Sequence, residues 1–305
     1  MQRRRFLTHS LAAAALSSAV AIPNSALALG GVKRRQGTRI KLGLNAYSFN
    51  QQLRSGEMSM DEVIDFCAEY EIDGVDMTGY YFPGYPAVPS DEVIYDLKKT
   101  AFLNGVTISG TGVRNDFALA DPLSRKGHVQ LVKDWVDVTA KLGADVLRVF
   151  SGRRIADGQT FESTLDWMVP AFQECAAYGQ ERGVIIGLQH HDDFLQTADE
   201  TIELVEKVDS EWFSVILDVG SLRRHDVYEE IEKLVPYACT WQVKEEVWYG
   251  DKAVPVDLQR LRAVIDKVEY RGFLPIEALG RDATVAARRK TVANFIAEVK
   301  EAFLT

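Results

Sequence analysis

Cysteine and histidine are both scarce in this chain. Three cysteines, Cys67, Cys175 and Cys239, are spread over 305 residues with no close pair. That spacing excludes a disulfide scaffold and a Cys-x-x-Cys zinc site, and the three read as buried small apolar residues. Basic charge is also short: 35 Lys and Arg against 44 Asp and Glu give a net charge of −9. A nucleic-acid groove needs clustered cations to displace counterions, so nucleic acid is not expected as a partner. No Gly-x-Gly-x-x-Gly follows a strand-like run, and no Gly-Lys-Ser/Thr loop, Gly-x-Ser-x-Gly elbow or His-Glu-x-x-His helix occurs. Dinucleotide binding, phosphate-loop hydrolysis, serine-hydrolase chemistry and helix-borne zinc peptidase chemistry therefore lack their carriers. Apolar residues are not lacking. At 47% hydrophobic and 26% charged, the chain has material for a sizeable core and is not a disordered segment.

Acidic residues are absent from the start of the chain: the first is Glu57, whereas Arg3, Arg4 and Arg5 fall in the first eight positions. Arg3-Arg4-Arg5-Phe6-Leu7 fits the twin-arginine pattern, a mild apolar stretch runs from Leu11 to Ile22, and Ala26-Leu27-Ala28 is a small-x-small cleavage site. Residues 1–28 therefore read as a twin-arginine signal peptide and 29–39 as a basic linker. The expected location is the periplasm or the exterior. The apolar stretch is too short to span a bilayer, so no stable membrane span is expected after cleavage.

From residue 40 to 305 one unit repeats. Short runs rich in Val, Ile and Leu alternate with longer stretches at helical spacing. The strand candidates are Ile40 to Tyr47, Gly74 to Thr78, Val106 to Gly110, Val146 to Ser151, Val184 to His190, Phe213 to Val219, Cys239 to Val243 and Leu274 to Leu279. Helix starts are marked by Ser59 with Glu62, Thr197 with Glu200, Ser90 before Asp91, and Asp121 before Pro122. Gly143 and Gly183 end helices just before the next strand. Continuous apolar strands separated by helices imply a parallel sheet covered by helices. Eight such units fit a single closed (β/α)8 TIM barrel better than a doubly wound open sheet.

A parallel barrel gathers its chemistry where strands end and the next loops begin. Polar residues concentrate there: Gln189-His190-His191-Asp192-Asp193 after the fifth strand, Asp218-Val219-Gly220-Ser221 after the sixth, Gln242-Val243-Lys244-Glu245-Glu246 after the seventh and Ile276-Glu277 after the eighth. Arg148 is a charge inside an otherwise apolar strand, which marks it as a substrate-binding candidate. The aromatic loop from Tyr80 to Pro86, with Tyr81 as its candidate contact, can wall one side of the mouth, and Trp248 and Tyr249 the other.

On these residues, above all Leu217-Asp218-Val219-Gly220 and Ile276-Glu277, the chain from Lys41 to about Phe303 resembles the sugar phosphate isomerase/epimerase family. These are the xylose isomerase-like barrels, which also include inosose dehydratases, 3-epimerases of keto sugars and barrel-type apurinic endonucleases. The resemblance implies one divalent ion, commonly Mn²⁺ or Mg²⁺, held by a Glu, an Asp, a His and a Glu at the ends of strands five to eight. Those positions fall here on Gln189, Asp218, Gln242 and Glu277. Two amides thus replace a carboxylate and an imidazole. Such a set still suits a hard cation such as Mg²⁺, Mn²⁺ or Ca²⁺, more weakly held, and suits Zn²⁺ poorly.

The family's epimerases use the strand-five and strand-eight glutamates as an acid/base pair, and an amide at Gln189 removes one half of it. Glu277 stays as the candidate base. The compensating group is His191, His190, Lys244 or an acid of the Asp192-Asp193 pair, with His191 preferred because alternation puts it on the same side as Gln189. Lys244 is placed to polarise a keto oxygen, and His190 is a further substrate-binding candidate. The same residues have structural uses: Asp218 and Glu277 as caps or ion-pair partners, His190 as a hydrogen-bonding group, Lys244-Glu245-Glu246 as a surface cluster.

The expected function is metal-assisted proton transfer beside a carbonyl of a small, non-phosphorylated sugar or cyclitol, giving isomerisation, epimerisation or elimination. The alternative is an inactive sugar-binding barrel that holds no metal. The endonuclease branch needs more histidine and acidic ligands than five histidines allow, together with a basic face. Self-association into a homo-oligomer is left open.

Overall fold

The computed structural model describes residues 31–191 and 194–304. The signal-peptide reading of residues 1–28 and the acidic turn Asp192-Asp193 lie outside them. Eight parallel strands close into a barrel: β1 (Arg39–Asn45), β2 (Gly74–Thr78), β3 (Thr107–Gly112), β4 (Val146–Val149), β5 (Ile185–Gln189), β6 (Phe213–Asp218), β7 (Ala238–Lys244) and, after a hairpin, β10 (Arg271–Glu277), which pairs with β1 to seal it. β2, β4 and β6 are buried along their whole length, and β1, β3, β7 and β10 toward their C-terminal ends, because helices cover the outside. The covering helices are α2 (Met60–Glu69), α3 (Asp91–Leu103), α4 (Pro122–Leu142), α5 (Phe161–Arg182), α6 (Ala198–Val208), α7 (Val227–Leu234), α8 (Leu258–Lys267) and α9 (Val285–Leu304), and a short α1 (Asn50–Ser55) lies in the first loop.

The local signals explain these boundaries. Ser59 with Glu62 and Thr197 with Glu200 form reciprocal capping boxes, Asp121 caps α4 ahead of Pro122, and Gly143 and Gly183 close α4 and α5 in the left-handed conformation. The first strand ends sooner than its apolar run suggests, because the Asn45 side chain accepts from the Tyr47 N–H at 2.8 Å and starts a 3-10 turn. The unexpected element is an antiparallel hairpin, β8 (Glu246–Tyr249) with β9 (Lys252–Pro255), inserted directly after β7. Cys67, Cys175 and Cys239 are unpaired, the first two buried and the third half-buried. Among the described residues no helix is long and apolar enough to cross a membrane.

Candidate active site

Strand register sets the site. Asp218, last residue of β6, lies level with Gln242 on β7, and Lys244 at the end of β7 lies level with Glu277 at the end of β10. Alternation along β7 puts Gln242 and Lys244 on one face, toward the barrel axis. The Lys244 ammonium donates to Asp218 Oδ2 at 2.7 Å and lies 3.9 Å from Glu277 Oε1. All three side chains are nearly closed to solvent, at 8%, 0% and 8% exposure. Gly220 makes this possible, because a Cβ there would stand 2.6 Å from Lys244 Cδ. Asp218-Val219-Gly220 thus supplies both the carboxylate and the space for the lysine that pairs with it.

A chain of hydrogen bonds extends across the mouth from this pair. Gln189 donates its amide to Asp218 Oδ2 at 2.7 Å, Arg148 Nη1 donates to Gln189 Oε1 at 3.3 Å, and Arg148 Nη2 donates to the Tyr80 hydroxyl at 2.7 Å. Arg148 is buried in β4 as its sequence context suggested, and it lies over the Phe150 ring at 4.4 Å. Gly112 on the neighbouring strand leaves the room, since a Cβ there would meet Arg148 Nε at 2.5 Å. Beneath, Asp76 Oδ2 accepts from Asn45 Nδ2 and Gln242 Nε2, both at 3.3 Å. Asp76 Oδ1 and Gln242 Oε1 are buried with no hydrogen-bond partner among the described residues.

These environments divide the charges. Burial works against ionising Asp218, but the Lys244 ammonium that bonds to it outweighs this and holds the carboxyl at about 2. Burial pushes Glu277 above its ordinary value, only partly countered by Lys244, and the nearby Asp218 charge adds to the rise. Burial also works against the Lys244 charge, yet the two carboxylates keep the amine protonated well into the basic range. The result is a fixed Lys244–Asp218 ion pair beside a carboxyl that holds its proton more readily than usual.

A cavity of about 180 Å³ opens over Lys244 and Glu277, with Gln189, His191, Arg148 and Tyr80 in its walls. His191 is at the cavity wall, edge-on to Phe150 at 5.8 Å between ring centres. His190 points elsewhere: fully buried, it accepts the Asp218 backbone N–H at 3.0 Å, and burial lowers its pKa to about 4, so the ring is neutral. Of the aromatic loop, Tyr80 lines the cavity, while the Tyr81 hydroxyl donates to Asn50 Oδ1 at 2.9 Å on α1. Trp248 is stacked under Arg223 at 4.0 Å in the hairpin and does not line the cavity. Sequence reasoning overlooked Asn45 and Phe150. Asn45 carried a signal, as a polar residue closing an apolar strand, whereas Phe150 had none. A second, larger groove of about 690 Å³ runs alongside, sharing Tyr47 and Leu279 with the cavity and carrying Arg54 and Arg281.

The expected metal set does not fit this arrangement. The Gln189 oxygen faces the Arg148 guanidinium and its amide nitrogen faces Asp218, so neighbours on both sides fix its orientation away from a cation. Asp218 Oδ2 accepts from Gln189 and Lys244, and Oδ1 accepts from the Gly220 N–H at 3.0 Å. Among the described residues no group of three or more His, Cys, Asp or Glu side chains is placed to hold a metal ion.

A closed eight-stranded parallel barrel with its polar cluster at the C-terminal strand ends is a (β/α)8 TIM barrel. Residues 64–298 match the description of the xylose isomerase-like TIM barrel, and the chain belongs to that family. Solved structures of similar fold include D-psicose 3-epimerase with D-tagatose from Clostridium cellulolyticum, at 19% identity over 86% of this chain and 96% of that one, TM-score 0.68. The probable 3-DHS dehydratase AsbF of Bacillus anthracis is 16% identical over 85% and 98%, TM-score 0.65. An IOLI protein with a bound zinc atom is 14% identical over 87% and 100%, TM-score 0.68. No curated protein sequence matches the chain.

Proposed function

We propose that the chain is an exported enzyme that moves a proton at the carbon next to a carbonyl of a small sugar or cyclitol, in the manner of an isomerase or lyase. The observation that carries this reading is the Glu277 carboxyl, raised by burial, 3.9 Å from the Lys244 ammonium at the wall of one cavity. A base with an elevated pKa next to a fixed cation is the pairing such a step needs.

In the reaction, the Glu277 carboxylate takes the proton from the substrate carbon and the C–H electron pair moves into the carbonyl, leaving an enediolate oxygen. The Lys244 ammonium neutralises that oxygen, and Asp218, holding Lys244 in place, spares it any reorganisation. Return of the proton to the adjacent carbon, with the hydroxyl proton of the first carbon passing to the former carbonyl oxygen, gives the isomer, and departure of a β-hydroxyl as water, on a proton passed through His191, gives elimination. His191, at the cavity wall, is the group for the second transfer. Gln189 carries no transferable proton, so two-faced epimerisation through a carboxylate pair is disfavoured. The sequence-level expectation of Mn²⁺ or Mg²⁺ on Gln189, Asp218, Gln242 and Glu277 forms no part of this scheme, because the donor set does not fit one.

The cavity has room for about one sugar ring and the adjoining groove for a substituent on it, which supports a free sugar or a glycoside as substrate. The twin-arginine pattern at residues 1–28 supports a place outside the cytoplasm, where non-phosphorylated sugars are met. The test is incubation of the protein with a panel of keto sugars, cyclitol ketones and oxidised glycosides in D₂O, followed by NMR. Loss of one C–H signal next to the carbonyl supports the proposal. Saturable binding without exchange for every compound that binds overturns it in favour of a sugar-binding barrel.

A further inference from the structure

We infer that Lys244 is the resident cation of this site and that the site takes no divalent metal ion. The inference rests on reading the cluster as the reaction centre but not on which sugar it takes. The charge arrangement carries the argument. The Lys244 ammonium lies between the carboxylates of Asp218 and Glu277, at 2.7 Å and 3.9 Å, the two acidic positions of the expected ligand set. The two remaining positions are neutral amides whose nitrogens point inward to acids, Gln189 to Asp218 at 2.7 Å and Gln242 to Asp76 at 3.3 Å.

Each substitution is consistent with the others. A dication next to the buried Lys244 ammonium and the Arg148 guanidinium in the same cavity wall would be repelled with little screening, and the three carboxylates Asp76, Asp218 and Glu277 would fall short of balancing all three cations. Replacing a carboxylate by Gln189 removes charge that one monovalent cation could not balance. It also gives Arg148 an oxygen to bond at 3.3 Å, where a carboxylate would draw that guanidinium into the centre. The lysine stem has a built berth: Gly220 leaves the space that a Cβ, 2.6 Å from Lys244 Cδ, would fill. A single positive charge is thus delivered by covalent attachment, and Asp218, fully buried, holds it in one position.

The experiment titrates purified full-length protein with Mn²⁺, following the free-ion signal by electron paramagnetic resonance, with metal content checked by mass spectrometry. Wild type should show no saturable site, and one tightly bound ion per chain would overturn the inference. The Lys244→Met/Gln189→Glu/Gln242→His variant should bind about one Mn²⁺, at least ~100-fold more tightly than wild type. If that variant is folded by circular dichroism and binds Mn²⁺ no better than wild type, Lys244 does not occupy the ion's place. Should it fail to fold, Lys244→Met alone gives the answer: its melting temperature should fall below wild type and rise with Mn²⁺ while wild type does not respond, and equal responses would contradict the inference. None of these readouts uses a substrate. Metal uptake by wild type overturns this inference and leaves proton transfer standing, whereas absence of exchange in D₂O overturns the proposed function and leaves the metal result standing.

Discussion

The Lys244 ammonium donates to Asp218 Oδ2 at 2.7 Å, and the Asp218 side chain is completely sealed from solvent. An ion pair at this depth is worth little compared with an apolar pair, but breaking it on one side leaves an uncompensated buried charge. Asp218→Asn and Lys244→Met should each lower stability by about 3–5 kcal/mol. The double variant should lose less than the sum of the two. Chemical denaturation of the three proteins checks this, and additive losses would mean that the pair does not act as a unit.

Tyr80 and Tyr81 adjoin in sequence but meet different partners. Tyr80 accepts from Arg148 Nη2 at 2.7 Å at the cavity wall, whereas Tyr81 donates to Asn50. Tyr80→Phe removes the acceptor and leaves Arg148 free to move toward Gln189, so KM for the substrate identified by exchange should rise several-fold. Tyr81→Phe should leave KM within about twofold, since Tyr81 does not line the cavity over Glu277 and a single hydrogen bond contributes only about 1 kcal/mol. Steady-state kinetics of the two single variants distinguishes them.

Gly220→Ala is a small change with a large expected effect. The new methyl would sit 2.6 Å from Lys244 Cδ and 3.3 Å from the Glu246 carbonyl oxygen. The lysine stem must shift, which moves the ammonium off Asp218. Overpacking of this kind costs about 1–3 kcal/mol, and displacement of the cation should lower kcat more than it raises KM. Thermal melting and kinetics together test both halves.

His190 makes stability depend on pH. Its folded pKa, about 4, lies below the ordinary imidazole value of 6.5, so the unfolded chain binds the proton first on acidification. The stability of the neutral ring is fully present above 6.5 and is lost as the pH falls from there through about 4. The loss is on the order of 3 kcal/mol. His190→Gln should flatten this part of the pH–stability curve, measured by urea unfolding between those limits. Asp218, held at about 2, contributes below this range, between its ordinary carboxylate value and about 2.

The barrel was legible because its strands announce themselves: each is a short apolar run, and the capping residues at Ser59, Thr197, Asp121, Gly143 and Gly183 mark where the helices begin and end. The hairpin after β7 was missed because its strands are short and largely exposed, so no apolar run marks them. Its one signal is the Gly250-Asp251 turn, with Gly250 at φ 61° and Tyr249 opposite Lys252. The strand-end positions of Gln189, Asp218, Gln242, Lys244 and Glu277 were likewise readable, since alternation along a strand follows from sequence. Their pairings were not. That Gln189 faces Arg148 on one side and Asp218 on the other, or that Asn45 braces Asp76, depends on register between strands distant in the chain. The same holds for Tyr80 taking the cavity wall in place of Tyr81, which a 3-10 turn of the loop decides.

The central claim is that Glu277 removes the substrate proton while Lys244 holds the oxygen. The most direct measurement is the rate of solvent deuterium incorporation by wild type, Glu277→Gln and His191→Ala, with substrate binding followed in parallel by calorimetry. Glu277→Gln should lose at least ~10³-fold in exchange while still binding substrate, and His191→Ala should retain exchange but slow product formation. Exchange that persists in Glu277→Gln and vanishes in His191→Ala would contradict the account and make His191 the base.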